Sequence, residues 1–208
     1  MARIDGRFTR RAVLARMSAA GLVLPLAGCG DDDWYGKDVS ALLPDLSFTM
    51  TRASDGARVT KADYEGRLVA LFFGFTFCPD ICPMTLSNLA AVVDSLGEDA
   101  ERLSILFVTV DPERDTPAVM AEYTAAFTPR ADGLIGTPDQ LARLARRFKV
   151  TYKVAPHDPG DAQYDVSHGK SVYVFDAQGE ARVMWPAFDT LEADIAGATG
   201  DLRRIMRG

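Results

Sequence analysis

Two stretches of the chain are almost wholly apolar and predict the centre of the fold. They are residues 68–75 (LVALFFGF) and residues 103–110 (LSILFVTV). Runs of this length without polar alternation are typical of strands that are buried on both faces. Between them, Leu86, Leu89 and Val93 repeat at intervals of three and four, as on a helix packed against a sheet. Strand, helix and strand together predict one parallel crossover unit.

The remaining pattern extends this unit. Thr116 and Thr137 each precede a proline, a combination that caps a helix and predicts two more helices. Further predicted elements are an edge strand in residues 41–50, a strand at 150–155, a polar connection at 156–165, an antiparallel hairpin from 171–175 and 181–185, and a last helix at 189–206. This order predicts an α/β domain of the thioredoxin-like type, with a central mixed sheet and helices on both faces.

The first 28 residues differ from the rest of the chain. They contain five arginines, and a short apolar run leads to Leu-Ala-Gly followed by Cys29. The run is too short to span a membrane and is typical of a secretory signal. Its end resembles the bacterial lipobox, so we expect a lipoprotein signal peptide at 1–28, lipidation of Cys29, a tether at 29–40 and the domain at 41–208. The alternative is an ordinary signal peptide that contains one cysteine by chance.

Charge and compartment narrow the choice of partners. Without the leader, 18 basic and 28 acidic side chains remain, a net charge of −10. Such an acidic body argues against nucleic acid and is compatible with a cationic metal or a basic protein partner. An exported protein meets an oxidising compartment, where Cys78 and Cys82 would be the free thiols. We therefore expect these two to form a disulfide unless they are reduced or occupied.

Cys78 and Cys82 lie between the first buried strand and the first helix, where thiolates are favoured. Their spacing of about one helical turn lets both thiols face one side, within disulfide reach. Three hypotheses follow: a structural crosslink, a redox-active pair that exchanges electrons, or two ligands of a metal site. The crosslink is the weakest, because closing so short a loop stabilises the fold little.

The chain has only two histidines that could complete a metal site. His168 precedes the strand 171–175, and in a thioredoxin-like sheet the loop that enters this strand passes beside the cysteines. His157 lies in a connection that we expect to be exposed. Two thiolates and one imidazole suit Cu(I), can hold Cu(II) with a further weak ligand, and could hold zinc with an open position. Asp80 would be either that further ligand or a solvated cap.

Three parts of the sequence resemble the SCO/SenC family of copper-binding, thioredoxin-like proteins. They are residues 75–83 (FTFCPDICP), residues 110–117 (VDPERDTP), and His168 with residues 173–176. The resemblance covers about residues 40–206. It implies that Cys78, Cys82 and His168 bind copper, as Cu(I) or Cu(II). One departure is that Ser167 and Gly169 flank the histidine, where the family commonly has aspartate before it and serine or threonine after it.

The resemblance also implies a role and partners. The role is to help build the dinuclear copper centre of cytochrome c oxidase, as a copper metallochaperone or as the reductant of that centre's cysteines. Its partners would be the copper-bearing oxidase subunit and another copper chaperone or a thioredoxin-like reductant. Family members are tethered to the outer, periplasmic face of the inner membrane, here through lipid on Cys29. The alternatives are a tethered thiol–disulfide oxidoreductase without a copper role, a peroxidase of the peroxiredoxin kind, and a purely structural domain.

Overall fold

The computed structural model describes residues 34–208. The predicted signal peptide and the predicted lipidation site Cys29 lie outside these residues. Within the described part, none of the helices has the length and apolar character needed to cross a bilayer.

The described residues form ten strands and four α-helices. The strands are β1 (Lys37–Asp38), β2 (Thr49–Arg52), β3 (Arg58–Thr60), β4 (Leu68–Gly74), β5 (Leu103–Thr109), β6 (Ala131–Ile135), β7 (Tyr152–Val154), β8 (Val166–His168), β9 (Val172–Phe175) and β10 (Ala181–Trp185). The helices are α1 (Ile81–Leu96), α2 (Pro117–Ala125), α3 (Pro138–Arg147) and α4 (Ile195–Arg207). Eight strands form the main sheet, in the order β1-β10-β9-β4-β5-β6-β2-β3.

The centre of the sheet confirms the predicted crossover unit. β4 pairs in parallel with β5 and antiparallel with β9. All seven residues of β4 and all seven of β5 are buried, as strands covered on both faces must be. Helices α1 and α4 pack against each other, and α2 packs against β6. The mixed sheet with four helices is the predicted thioredoxin-like fold.

The helix starts agree with the capping residues in two cases. The Thr116 side chain accepts from the N–H of Val119, and Thr137 forms a capping box with Gln140. Helix α1 begins at Ile81, so Pro83 is its third residue. The first four N–H groups of a helix have no partner within it, and a proline there loses no hydrogen bond.

The N-terminal part of the described chain corrects the predicted tether. β1 lies within residues 29–40 but pairs with β10, and the buried carboxylate of Asp201 accepts from the backbone N–H groups of Tyr35 and Gly36 and from the indole of Trp185. Residues from 34 onward therefore belong to the domain, and the predicted tether extends too far. Two other predictions are also corrected. Of the edge strand predicted at 41–50, only residues 49 and 50 lie in a strand, β2, which lies inside the sheet between β6 and β3, and the last helix starts at Ile195.

β7 and β8 form a separate two-stranded antiparallel ribbon, in which Tyr152 is opposite His168. The predicted strand at 150–155 therefore does not enter the main sheet. β8 was not predicted, because three residues ending in histidine and glycine carry no strand pattern. The connection between the two strands, residues 155–165, lies mostly exposed. This ribbon places His168 beside the cysteines.

Candidate metal centre

The two cysteines lie where the chain leaves the main sheet. We call residues 75–82 the cysteine turn; it runs from the end of β4 into α1. Cys78 lies in the turn itself and is 8% exposed, whereas Cys82 is the second residue of α1 and is completely buried. The N–H of Cys78 donates to the carbonyl of Phe75 at 3.2 Å. The predicted proximity holds, although only one of the two residues is helical.

Gly74 makes room for the buried sulfur. A Cβ at this position would lie 2.5 Å from Sγ of Cys82 and would also overlap the ring of Phe107. A glycine inside a buried strand often marks such a close approach. This signal was present in the sequence and could have placed Gly74 at the site.

Asp115 fastens the cysteine turn to the sheet. Its carboxylate is completely buried and accepts from the N–H of Thr76 at 3.1 Å and from its hydroxyl at 2.5 Å. The hydroxyl of Thr109, at the end of β5, donates to it at 2.6 Å. Burial raises the pKa of Asp115, and the donors around it act in the opposite direction. The position of the turn therefore depends on one buried carboxylate.

The backbone fixes which nitrogen of His168 faces the thiols. Its Nδ1 lies 2.9 Å from the carbonyl oxygen of Gly169, which can only accept, so Nδ1–H is the donor. In the neutral ring Nε2 then carries a lone pair, and it lies 3.5 Å from Sγ of Cys82. Phe75 holds the ring edge-on, with 5.8 Å between the ring centroids. The ligand atoms of Cys78, Cys82 and His168 all lie within 4.8 Å of one another.

The two thiols share a proton unequally. The pKa of Cys78 is lowered first by a hydrogen bond from the Cys82 thiol, and further by the backbone N–H groups of Asp80 and Cys82, while its burial acts in the opposite direction. The pKa of Cys82 is raised because it holds the shared proton and because it is buried. Within this coupled pair, ionisation of Cys78 is therefore favoured over ionisation of Cys82. Both cysteines are free here, and their disulfide remains a prediction.

The other two candidates do not join this group. Asp80 is exposed; it contributes its backbone N–H, and its carboxylate is not among the clustered ligand atoms. His157 was predicted to be exposed, but it is partly buried. Its ring stacks on Tyr164 with 3.6 Å between centroids, and its Nε2 lies 2.9 Å from Glu113.

Arg114 joins the loop after β5 to the connection of the ribbon. Its Nε lies 2.5 Å from Asp111, and its guanidinium lies 3.7 Å from the centre of the Tyr164 ring. The hydroxyl of Tyr164 also donates to Asp111, at 2.6 Å. We call the group of Asp111, Arg114, Tyr164, His157 and Glu113 the latch. The sequence showed its first half within residues 110–117, but nothing indicated a partner some fifty residues downstream.

This arrangement of a cysteine turn and a histidine ribbon on a thioredoxin-like sheet matches known proteins. The sequence model of SCO1/SenC matches residues 43–206, which is most of the chain. The chain belongs to the SCO1/SenC family. Among curated relatives of this SCO1/SenC protein, the mitochondrial SCO2 homolog of Bos taurus is 45% identical over 121 residues, covering 57% of this chain and 45% of the relative. The chain spans about half the length of the curated relatives it matches.

Solved structures from the family agree with the fold. The structure of Bradyrhizobium japonicum ScoI with copper bound is 33% identical, with a TM-score of 0.67, and the match covers 77% of this chain and 98% of that one. The apo Sco1 protein from Thermus thermophilus is 31% identical, with a TM-score of 0.71, over 83% of this chain and 96% of that one. The residues that the family model matches, 43–206, include the cysteine turn and the ribbon.

Proposed function

We propose that this SCO1/SenC protein binds one copper ion through Cys78, Cys82 and His168 and carries it as cargo. The observation that carries the proposal is the convergence of two sulfurs and Nε2 of His168 within 4.8 Å. The hydrogen bond from Nδ1 to Gly169 supports it, because it leaves Nε2 free to bind metal. The relative from Bradyrhizobium japonicum, whose solved structure has copper bound, supports the choice of metal.

The donor set favours copper over a structural zinc. Structural zinc sites are four-coordinate, and within residues 34–208 no fourth histidine, cysteine or carboxylate belongs to this group. Two thiolates and one imidazole make a soft set that suits Cu(I). Bound copper would supply a soft cation that both thiolates hold. The chain's own residues supply the thiolate at Cys78, a proton released from Cys82 on binding, and an imidazole held in one tautomer.

The cargo would serve the assembly of the dinuclear copper centre of cytochrome c oxidase. Family membership supports this role, as does the greater exposure of Cys78, through which a partner would reach the metal. Lipidation of Cys29 would anchor the protein to the outer face of the inner membrane. The cysteines must be reduced before they bind copper, so metal loading depends on the redox state of the pair.

A copper titration tests the proposal. Reduced protein should bind one equivalent of Cu(I) tightly in competition with a chromophoric chelator, and its Cu(II) form should show sulfur-to-copper charge-transfer absorption. His168→Ala should weaken binding by at least tenfold through loss of one ligand. His157→Ala is the matched control, since it removes the other histidine without removing a ligand and should change the affinity far less than His168→Ala does. Equal affinity of the two variants would rule out the three-ligand site.

A second function, reduction of a client disulfide, is favoured by the placement of the thiols, with Cys78 in the turn near the surface and Cys82 completely buried behind it. The Cys78 thiolate would attack one client sulfur, forming a mixed disulfide and releasing one client thiolate. Cys82 would then lose its proton and attack Cys78, releasing the second client thiolate. The client gains two electrons, and the pair ends as a Cys78–Cys82 disulfide. This activity should survive in His168→Ala and disappear in Cys78→Ala, as thiol exchange with an oxidised dicysteine peptide would show.

A further inference from the structure

Phe77 is a large apolar side chain exposed directly beside the reactive thiol. It is 53% exposed, although its chain neighbour Cys78 is buried and Phe75 lies in the core. The guanidinium of Arg114 lies 5.2 Å from the centre of its ring and supports it from below. An exposed aromatic ring that is held in place in this way suits contact with another molecule.

A groove lies on each side of Phe77. The first is lined by Thr76, Val119, Tyr123 and Ala126, with Glu122 at its edge. The second runs between Arg114 and the connection of the ribbon, past Pro156 and His157. A loop that crossed Phe77 would therefore find a depression on both sides of the ring, next to the residue that precedes Cys78.

The edges of the two grooves are acidic. Glu122 lines the first groove, and Asp161 and Asp165 line the second; all three are exposed. We call these three residues the acidic rim. Asp80 and Glu113 add exposed carboxylates nearby. Arg114 is the one arginine or lysine that lines either groove, and Asp111 neutralises it. The other lining residue that can carry a positive charge, His157, is paired with Glu113.

We propose that Phe77 and the acidic rim form the docking surface for a partner loop that carries its cysteines among basic side chains. This inference rests on the proposed function, because the partner is the protein that receives copper or electrons from the pair. Complementary charge chiefly raises the rate of encounter, and salt screens the effect. Phe77 supplies a buried anchor once the loop is seated.

Two charge-matched probes test the surface. Each is a five-residue peptide with one cysteine, held as a mixed disulfide with thionitrobenzoate; the cysteine is flanked by lysines in one peptide and by glutamates in the other. The Cys78 thiolate attacks the peptide sulfur, and thionitrobenzoate leaves and is measured by its absorbance. At low ionic strength we expect the basic peptide to react about tenfold faster than the acidic one. The difference should shrink strongly at 0.5 M salt (about 4 Å of screening length).

Matched variants separate the rim from the overall charge. Glu122→Gln, Asp161→Asn and Asp165→Asn together remove three negative charges beside the thiol. Glu65→Gln, Glu98→Gln and Glu180→Gln remove the same number near the amino ends of β4 and β5, at the opposite end of the sheet. The preference for the basic peptide should fall to about threefold in the rim variant and persist in the control. An equal fall in both variants, or no preference in the wild type, would overturn the proposal.

Phe77→Ala tests the anchor, with Leu42→Ala, a change at another exposed large apolar residue, as its control. Leu42 is 68% exposed and lies in the segment that contacts the β9–β10 turn, away from the thiols. Only Phe77→Ala should lower the rate with the basic peptide relative to the small neutral reagent dithiodipyridine. The charge variants should bind copper as the wild type does. Normal copper binding without charge preference would refute the docking surface alone, whereas absent copper binding would refute the proposed function.

Discussion

The cysteine turn and the β7–β8 ribbon supply the same site but are held in opposite ways. The turn joins a fully buried strand to the longest helix of the described chain, and Asp115 fastens it from inside. The ribbon has three residues in each strand, lies outside the main sheet and is half exposed. Its connection is attached mainly through the latch, by side chains that reach across from the loop after β5.

This difference indicates that two ligands are fixed and the third is adjustable. Regions with few buried contacts open at lower free energy than the core does. We therefore expect the ribbon to move His168 away while Cys78 and Cys82 keep their places. For the proposed carrier, which has to release copper as well as bind it, loss of this one ligand would be a low-cost step toward release. The latch would then set how often the third ligand leaves.

The largest expected effect, on both stability and copper binding, comes from a change beside the cysteine turn. Gly74→Ala would push its methyl group against Cys82 and Phe107 in a packed core. Overpacking of this kind should lower the free energy of unfolding by about 2 kcal/mol. It should also weaken copper binding, because Cys82 must shift. Denaturant unfolding and the copper titration measure the two effects.

The control for this variant is Gly200→Ala in α4. The added methyl group meets nothing within 4 Å, and alanine is the better helix former. The free energy of unfolding of this variant should rise by about 0.5–1 kcal/mol, and it should bind copper normally. If Gly74→Ala also kept its stability and bound copper normally, the cysteine turn would not be rigid, and the contrast between the turn and the ribbon would fail.

The sequence predicted the cysteine turn and the elements around it better than it predicted the ribbon. Buried strands and capped helices follow from local rules, so β4, β5, α2 and α3 were placed within a few residues of their observed positions. The cysteine pair followed from the boundary between strand and helix. These features depend on neighbours in the chain, which a local pattern records.

The ribbon and the latch depend on contacts between residues that are distant in the sequence. The stacking of Tyr164 on Arg114 and the pairing of His157 with Glu113 join segments about fifty residues apart, through side chains with no periodic signature. His157 therefore looked like a solvated loop residue. Asp115 was visible only as one letter of a conspicuous stretch, because its role depends on the fold bringing Thr76 to it. His168 was predicted because a metal site with two thiolates needs a third ligand. The strand that carries it, β8, was not predicted.

A smaller effect is expected from loosening the latch. Tyr164→Phe keeps both ring contacts but removes the hydroxyl that donates to the buried carboxylate of Asp111. Removing this hydrogen bond should lower the free energy of opening of the ribbon by about 1 kcal/mol and leave that of the core unchanged. Hydrogen exchange at the β8 amides should become about fivefold faster, and copper should dissociate faster at unchanged stoichiometry. Tyr35→Phe, which alters a ring packed on Trp185, should change neither. Unchanged β8 exchange in Tyr164→Phe would show that the ribbon does not depend on the latch.

The smallest effect should appear only as a dependence on pH. The pKa of His157 is raised, first because its ring donates to the carbonyl of Ala155 and then because Glu113 lies beside it. Its protonated form is therefore favoured in the folded latch. The added stability is fully present below about pH 6.5, the ordinary value, and is lost as the pH rises through the raised pKa.

Hydrogen exchange of residues 155–165, corrected for the intrinsic effect of pH, should therefore show greater protection at pH 6 than at pH 8.5. His157→Gln should remove this difference, and Glu113→Gln should reduce it by removing one of its causes. The cysteine turn should show no such dependence, since His157 is not part of its packing. A change of equal size in both regions would mean that the turn and the ribbon open together, and that the third ligand is no more adjustable than the two thiols.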